Sequence, residues 1–155
     1  MNAWHWIAGG AAAATAAILA WRPLRRLGHE VQAERARESF RLQRERMEAK
    51  FLDAARATGK PRGLNWKDCD FESALTLARD RHTGKLVGLV PVTVSFEAIV
   101  GGPMEGVEAV GNLRNATAVF HFDRGHWTTA GQAVFNLNPD EAIEHFRPQF
   151  ERIQS

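Results

Sequence analysis

His121, Asp123 and His126 come nearest, among the residues of this chain, to a metal constellation. Side chains two apart on an extended strand share a face, so His121 and Asp123 point the same way. His126 begins the partner strand across a two-residue turn, which brings two imidazoles and a carboxylate toward one point. Those groups can bind a cation such as zinc. No fourth ligand stands beside them, so the plainer reading is a solvated hairpin end, and no cofactor is expected.

Asp68, Asp70 and Glu72 alternate around Cys69 and Phe71. Three carboxylates on one strand face could hold a hard cation or carry acid–base chemistry. The same pattern also marks the exposed side of an edge strand, where charge discourages aggregation. Cys69 falls on the opposite face and reads as a small core residue, its thiol raised rather than activated by the nearby acids. The run Gly101–Gly102–Pro103–Met104–Glu105–Gly106 is glycine-rich like a phosphate loop but lacks the Gly-Lys-Ser/Thr ending and enters no obvious helix. Gly102 and Met104 are therefore expected in a lid or a partner-contacting loop. Asn112, Arg114 and Asn115, with Glu108, crowd a polar segment, and in a curved sheet Arg114 could line a pocket.

The elements that must position these groups begin after residue 63, where β-branched and aromatic residues rise. Leu64 to Phe71 reads as a short strand containing Trp66, and Ser73 to Arg79 alternates as a second. Asp80 to Gly84 is a hairpin loop, with Gly84 suited to a left-handed position. Lys85 to Val100 is the longest strand candidate, and Pro91 predicts a bulge or an edge within it. Val107 to Leu113 reads as a further short strand. Ala116 to Asp123 and His126 to Leu137 form a hairpin joined at Arg124–Gly125. Asn138–Pro139–Asp140–Glu141 predicts a helix start with Asn as N-cap and Glu completing a capping box. Phe150 and Ile153 are expected to pack as a short tail.

Before this domain, Leu24 to Thr58 reads as one charged helix, stopped by Gly59, Lys60 and Pro61. Glu38/Arg41 and Arg44/Glu48 are among its helix-spaced ion pairs. Its first part looks solvated, whereas Phe40, Met47, Phe51, Leu52, Ala54 and Ala55 form an apolar face expected to dock from about residue 47 to 58. The fold class is thus α+β: a long helix, a curved antiparallel sheet of about five or six strands, then a short C-terminal helix. In element order this resembles the cystatin or NTF2-like arrangement, and neither family's motifs are present. The expected organisation is an anchor at 1–21, a juxtamembrane charged helix or stalk at 22–62, and the α+β domain at 63–155.

The anchor is inferred from Ala3 to Trp21, which contains no Asp, Glu, Lys or Arg. Nineteen helical residues at ~1.5 Å each span about 28 Å, close to the ~30 Å of a hydrocarbon core. Trp4 and Trp6 sit at one end and Trp21 at the other, where indoles favour the headgroup boundary. Arg22, Arg25 and Arg26 follow, so the positive-inside rule puts the N-terminus outside and the C-terminal domain in the cytoplasm of a single-pass membrane protein. A cleaved signal peptide would use Ala14–Thr15–Ala16, yet no Lys or Arg precedes Arg22.

Residues 22–62 hold twelve Lys/Arg against six Asp/Glu, a net +6, while residues 63–155 hold eight against twelve, a net −4. A basic juxtamembrane segment is drawn to anionic lipid and an acidic domain is repelled by it. Nucleic-acid binding is disfavoured, because the stalk's arginines alternate with glutamates and lack stacking partners. The single cysteine allows no intrachain disulfide. With no complete catalytic set, the expected role is non-enzymatic: a small binding or assembly domain at the membrane surface. Its expected partners are the lipid bilayer, another protein, and a second copy through the 3-4 steps of Leu24, Leu27 and Val31. The alternatives are a ligand-binding or hydrolytic pocket inside a cone-shaped sheet, and an exported periplasmic domain.

Overall fold

The computed structural model describes residues 4–58 and 63–153, with side chains from residue 27 onward. The chain is α+β, with two helices and a curved antiparallel sheet of seven strands. It divides into two compact units, Met1–Arg35 and Ala36–Ser155. Helix α1 runs from Trp4 to Thr58 and stops ahead of Gly59, Lys60 and Pro61, which lie outside the described residues. Among the described residues no helix is long and apolar enough to cross a membrane. The side chains of Trp4, Trp6, Trp21, Arg22, Arg25 and Arg26 lie outside those residues, so the anchor rests on sequence alone.

Within the second unit the strands are β1 (Leu64–Phe71), β2 (Thr76–Asp80), β3 (Leu86–Ala98), β4 (Arg114–Asp123), β5 (His126–Thr128), β6 (Ala133–Phe135) and β7 (Phe150–Arg152). Helix α2, Pro139–His145, precedes the last of them. The path is β5-β4-β3-β2-β7, with β1 also paired to β3 and β6 also paired to β4. One flank of β3 is thus shared by β2, from Leu86 to Leu89, and by β1, from Val92 to Ala98.

Pro91 sits at the junction between those two partners. Its carbonyl accepts a bond from Glu72 N on that flank. The N–H that proline lacks would face the same side, where no partner strand stands, so the β3–β4 ladder runs from Leu86 to Val94 without a break. The expected bulge is elsewhere, in β1 between Trp66 and Asp68.

Three further expectations change. Val107 to Leu113 is not a strand; Glu108–Gly111 forms a 3₁₀ turn there, and β4 begins at Arg114. The segment His126 to Leu137 is two strands, because Gly131 at φ 71 turns the chain against α1. A Cβ on Gly131 would lie 2.6 Å from the Ala54 carbonyl carbon, a separation only glycine permits. The tail is a strand, since β7 pairs with β2 through Ala78 to Asp80. These differences raise the strand count from the expected five or six to seven.

Alternation along β3 and β4 creates two apolar faces. One packs against α1, whose Ala36, Phe40, Met47, Phe51 and Ala55 are all buried in a helical stripe. Docking therefore starts about three turns before Met47, where alanine and a lone Phe40 gave little apolar signal. The other face carries Ala78, Val87, Leu89 and Val119, covered by Ile143 of α2 and Phe150 of β7.

Candidate functional site

Among the described residues, aromatic rings pack the middle of the face toward α1. Phe40 stands edge-on to Phe120 and Trp127, with ring centroids 5.1 and 5.0 Å apart. Phe51 meets Trp66, Phe71 and Phe120 at 6.2, 5.5 and 5.7 Å. Trp127 lies over Gly88, where a Cβ would come within 2.9 Å of its ring, and its indole N–H donates to Ala36 O at 3.0 Å. The interior of the curved sheet is filled by aromatic rings, as dense packing requires.

On the opposite face, α2 and β7 cover only the first half of β3. Beyond them lies an open cleft of about 670 Å³, with Pro91, Thr93 and Asn115 on its sheet side. Asn112, Leu113 and Arg114 form one wall, Asn136, Leu137, Asn138 and Glu141 another, and Glu72 stands at the β1 end. Local chemistry fixes the second wall. The Asn138 side chain accepts from Glu141 N at 2.9 Å and Glu141 Oε2 accepts from Asn138 N at 2.8 Å, the expected capping box. Buried Thr117 donates from Oγ1 to Leu137 O at 2.7 Å. Asn136 holds φ at 60, and its N–H donates to Asn115 O at 2.9 Å.

Among the described residues, the side chains of Glu72, Asn112, Arg114, Asn115 and Asn136 make no hydrogen bond or ion pair within the protein. The cleft therefore presents carboxamides and charges of both signs on a braced frame. The sequence points to Asn112, Arg114 and Asn115 for a pocket and to Glu72 only as one of three strand-face carboxylates, and it does not point to Asn136, Asn138 or Glu141 as lining residues. The capping motif marked two of these as helix-start residues, and Glu72 belonged to a run that reads as an edge strand. Glu108 lies in the 3₁₀ turn and does not line the cleft.

His121, Asp123 and His126 are brought to one hairpin end, where Asp123 pairs with His126 and His121 with Thr128. Arg124 and Gly125 both hold positive φ in the two-residue turn that joins them, 50 and 82 respectively. Each of the two outer groups is already engaged. Asp123 Oδ2 accepts from Lys85 Nζ at 2.8 Å, which holds its carboxyl below the ordinary range, and His126 Nδ1 lies 3.0 Å from Arg124 O. His121 is half-buried; burial lowers its pKa, with Asp80 opposing and Lys85 reinforcing the shift. No group of three metal-ligating side chains that could hold an ion occurs among the described residues.

Gly102 and Met104 belong to a loop closed on itself. Gly102 N donates to Ile99 O at 2.9 Å, Glu105 N to Gly102 O at 3.1 Å, and Gly101 N to Glu105 Oε2 at 2.8 Å. Met104 and Pro103 crowd Gly63 at the start of β1. These turns leave Val100 88% exposed beside them. Strand β1 pairs with β3 alone, so Asp68 and Asp70 stand exposed on an edge strand, and Glu72 lies exposed just past its end. Two arginines of α1 reach carbonyls of β1 and of the two residues after it. Arg56 donates to Trp66 O and Lys67 O at 3.2 and 2.7 Å, and Arg44 donates to Ser73 O at 2.8 Å and also to Glu72 O. Burial, then the Asp68 charge, pushes the Cys69 thiol up to about 11, which removes it as a nucleophile near neutral pH.

Against known proteins, no family model, no curated protein and no solved structure matches this chain.

Proposed function

We propose that the chain is a non-enzymatic, single-pass membrane protein that offers the cleft beside α2 to a protein partner. The observation that carries this reading is the division of the sheet: one face is filled by aromatic rings, while the other keeps unengaged polar groups in an open cleft. A catalytic pocket needs enclosure and a paired acid, base or nucleophile. A deep polar pocket holding His121, Glu97 or Arg114 would favour the small-ligand or hydrolytic alternative; of these only Arg114 lines the cleft, at an open wall.

The anchor, Ala3 to Trp21, and its orientation come from the tryptophans and from Arg22, Arg25 and Arg26. On this reading the N-terminus faces outside and the domain lies in the cytoplasm. A second copy could join through the stalk, where Leu27 and Val31 are exposed one helical turn apart. The cystatin or NTF2-like arrangement describes the element order and carries no activity to this chain.

Three measurements on the full-length protein test the proposal. It should resist alkaline carbonate extraction, and a C-terminal tag should stay protected from external protease in intact cells. A photo-crosslinking residue at Leu113, which is 70% exposed, should trap a discrete protein that Arg114→Glu releases. Release into carbonate sinks the tether, and a Leu113 probe that traps nothing sinks the binding role.

A further inference from the structure

Resting on that reading, we propose that the cleft takes an extended, hydrophilic peptide segment of the partner, its main chain held by carboxamides and its charges sorted by Arg114 and Glu72. A carboxamide both donates and accepts, as a peptide group does, so Asn112, Asn115 and Asn136 can each pair with a peptide N–H and C=O. None of the three carboxamides has a competing bond within the protein among the described residues.

The lining argues against other ligand classes. Among the described residues it contains no aromatic ring on which a nucleobase could stack, and Arg114 is its only cation, too few for a phosphate backbone. Apolar contact comes from Leu113, Leu137 and Pro91, enough to flank an extended chain. The volume of about 670 Å³ falls inside the range of known ligand sites, roughly 300–1,000 Å³. The bonds from Thr117 Oγ1 and Asn136 N brace one wall before anything binds, which lowers the ordering cost of association.

A segment seated here would place an acidic side chain toward Arg114 and a basic one toward Glu72. Exposed pairs of this kind are worth up to about fivefold in affinity each.

The test uses full-length protein in phosphatidylcholine nanodiscs and a phage library of random heptapeptides. Selection should enrich peptides with one acidic and one basic position. A fluorescent copy of the enriched peptide should bind about fivefold more weakly to Arg114→Glu, and reselection on that variant should replace the acidic position by Lys or Arg. Asn115→Ala should weaken binding without lowering the thermal midpoint, because its side chain makes no bond within the protein. Failure to enrich any sequence over empty nanodiscs overturns the peptide assignment, and so does an enriched peptide indifferent to Arg114→Glu. If the Leu113 probe still traps a protein in that event, the binding role stands and only the occupant's chemistry is wrong.

Discussion

Gly131 and Gly84 hold nearly the same backbone angle, φ 71 and 70, yet their replacement should have unequal costs. Alanine at Gly84 meets nothing within 4 Å and suffers only the left-handed penalty, about 1–2 kcal/mol. At Gly131 the new Cβ would also run into the Ala54–Ala55 backbone, adding roughly 1–3 kcal/mol. Urea unfolding followed by tryptophan fluorescence should rank the variants in that order. His121 makes a pH prediction. Its folded pKa lies below the ordinary 6.5, so the unfolded chain binds more protons in the window just below 6.5. Stability should therefore fall as pH drops through that window, and His121→Gln should flatten this part of the profile of melting temperature against pH. Cys69, raised to about 11, should react slowly with iodoacetamide at pH 8 while folded and rapidly in denaturant. Fast labelling of the native protein would contradict its burial.

At the scale of elements, α1 is tied to the sheet by a few large rings. Phe51→Ala removes contacts to Trp66, Phe71 and Phe120 together and should cost about 3–5 kcal/mol. Asn138→Ala opens the capping box of α2 and should cost about 1 kcal/mol, visible as faster amide exchange at Glu141. The elements legible in the sequence were those whose signal is local. Leu64–Phe71, the Arg124–Gly125 turn and the Asn138 cap needed only alternation, glycine and a capping pair. What was not legible depended on partners far along the chain. His126 to Leu137 alternates well enough for one strand, but the approach of Ala54 and Ala55 breaks it at Gly131. Pro91 predicts a bulge or an edge; the bulge falls in β1 instead, and Pro91 sits on a stretch of β3 flank that β1 and β2 leave unpaired, a gap set by where those two strands end. The cleft was half visible for the same reason, since Arg114 and Asn115 meet Asn136 only after β6 pairs with β4.

For the whole molecule, the compact unit beginning at Ala36 makes a proteolytic prediction. Limited trypsin treatment should cut at exposed Arg35 well before it reaches Arg79. A fragment starting near Ala36 should keep the near-ultraviolet circular dichroism of Trp66 and Trp127. Early cleavage at Arg79 instead would mean that the sheet opens more readily than its packing implies. The bond from Trp127 to Ala36 spans 91 positions of chain, and the Phe40–Phe120 contact is nearly as distant. During synthesis the ribosome delivers the helical half of that core first and the rings that must cover it last. Loop closure over so many residues is slow. An emerging chain therefore carries Phe40, Met47 and Phe51 uncovered until the β4–β5 hairpin leaves the exit tunnel, and in that interval the nascent protein has its greatest need of a chaperone.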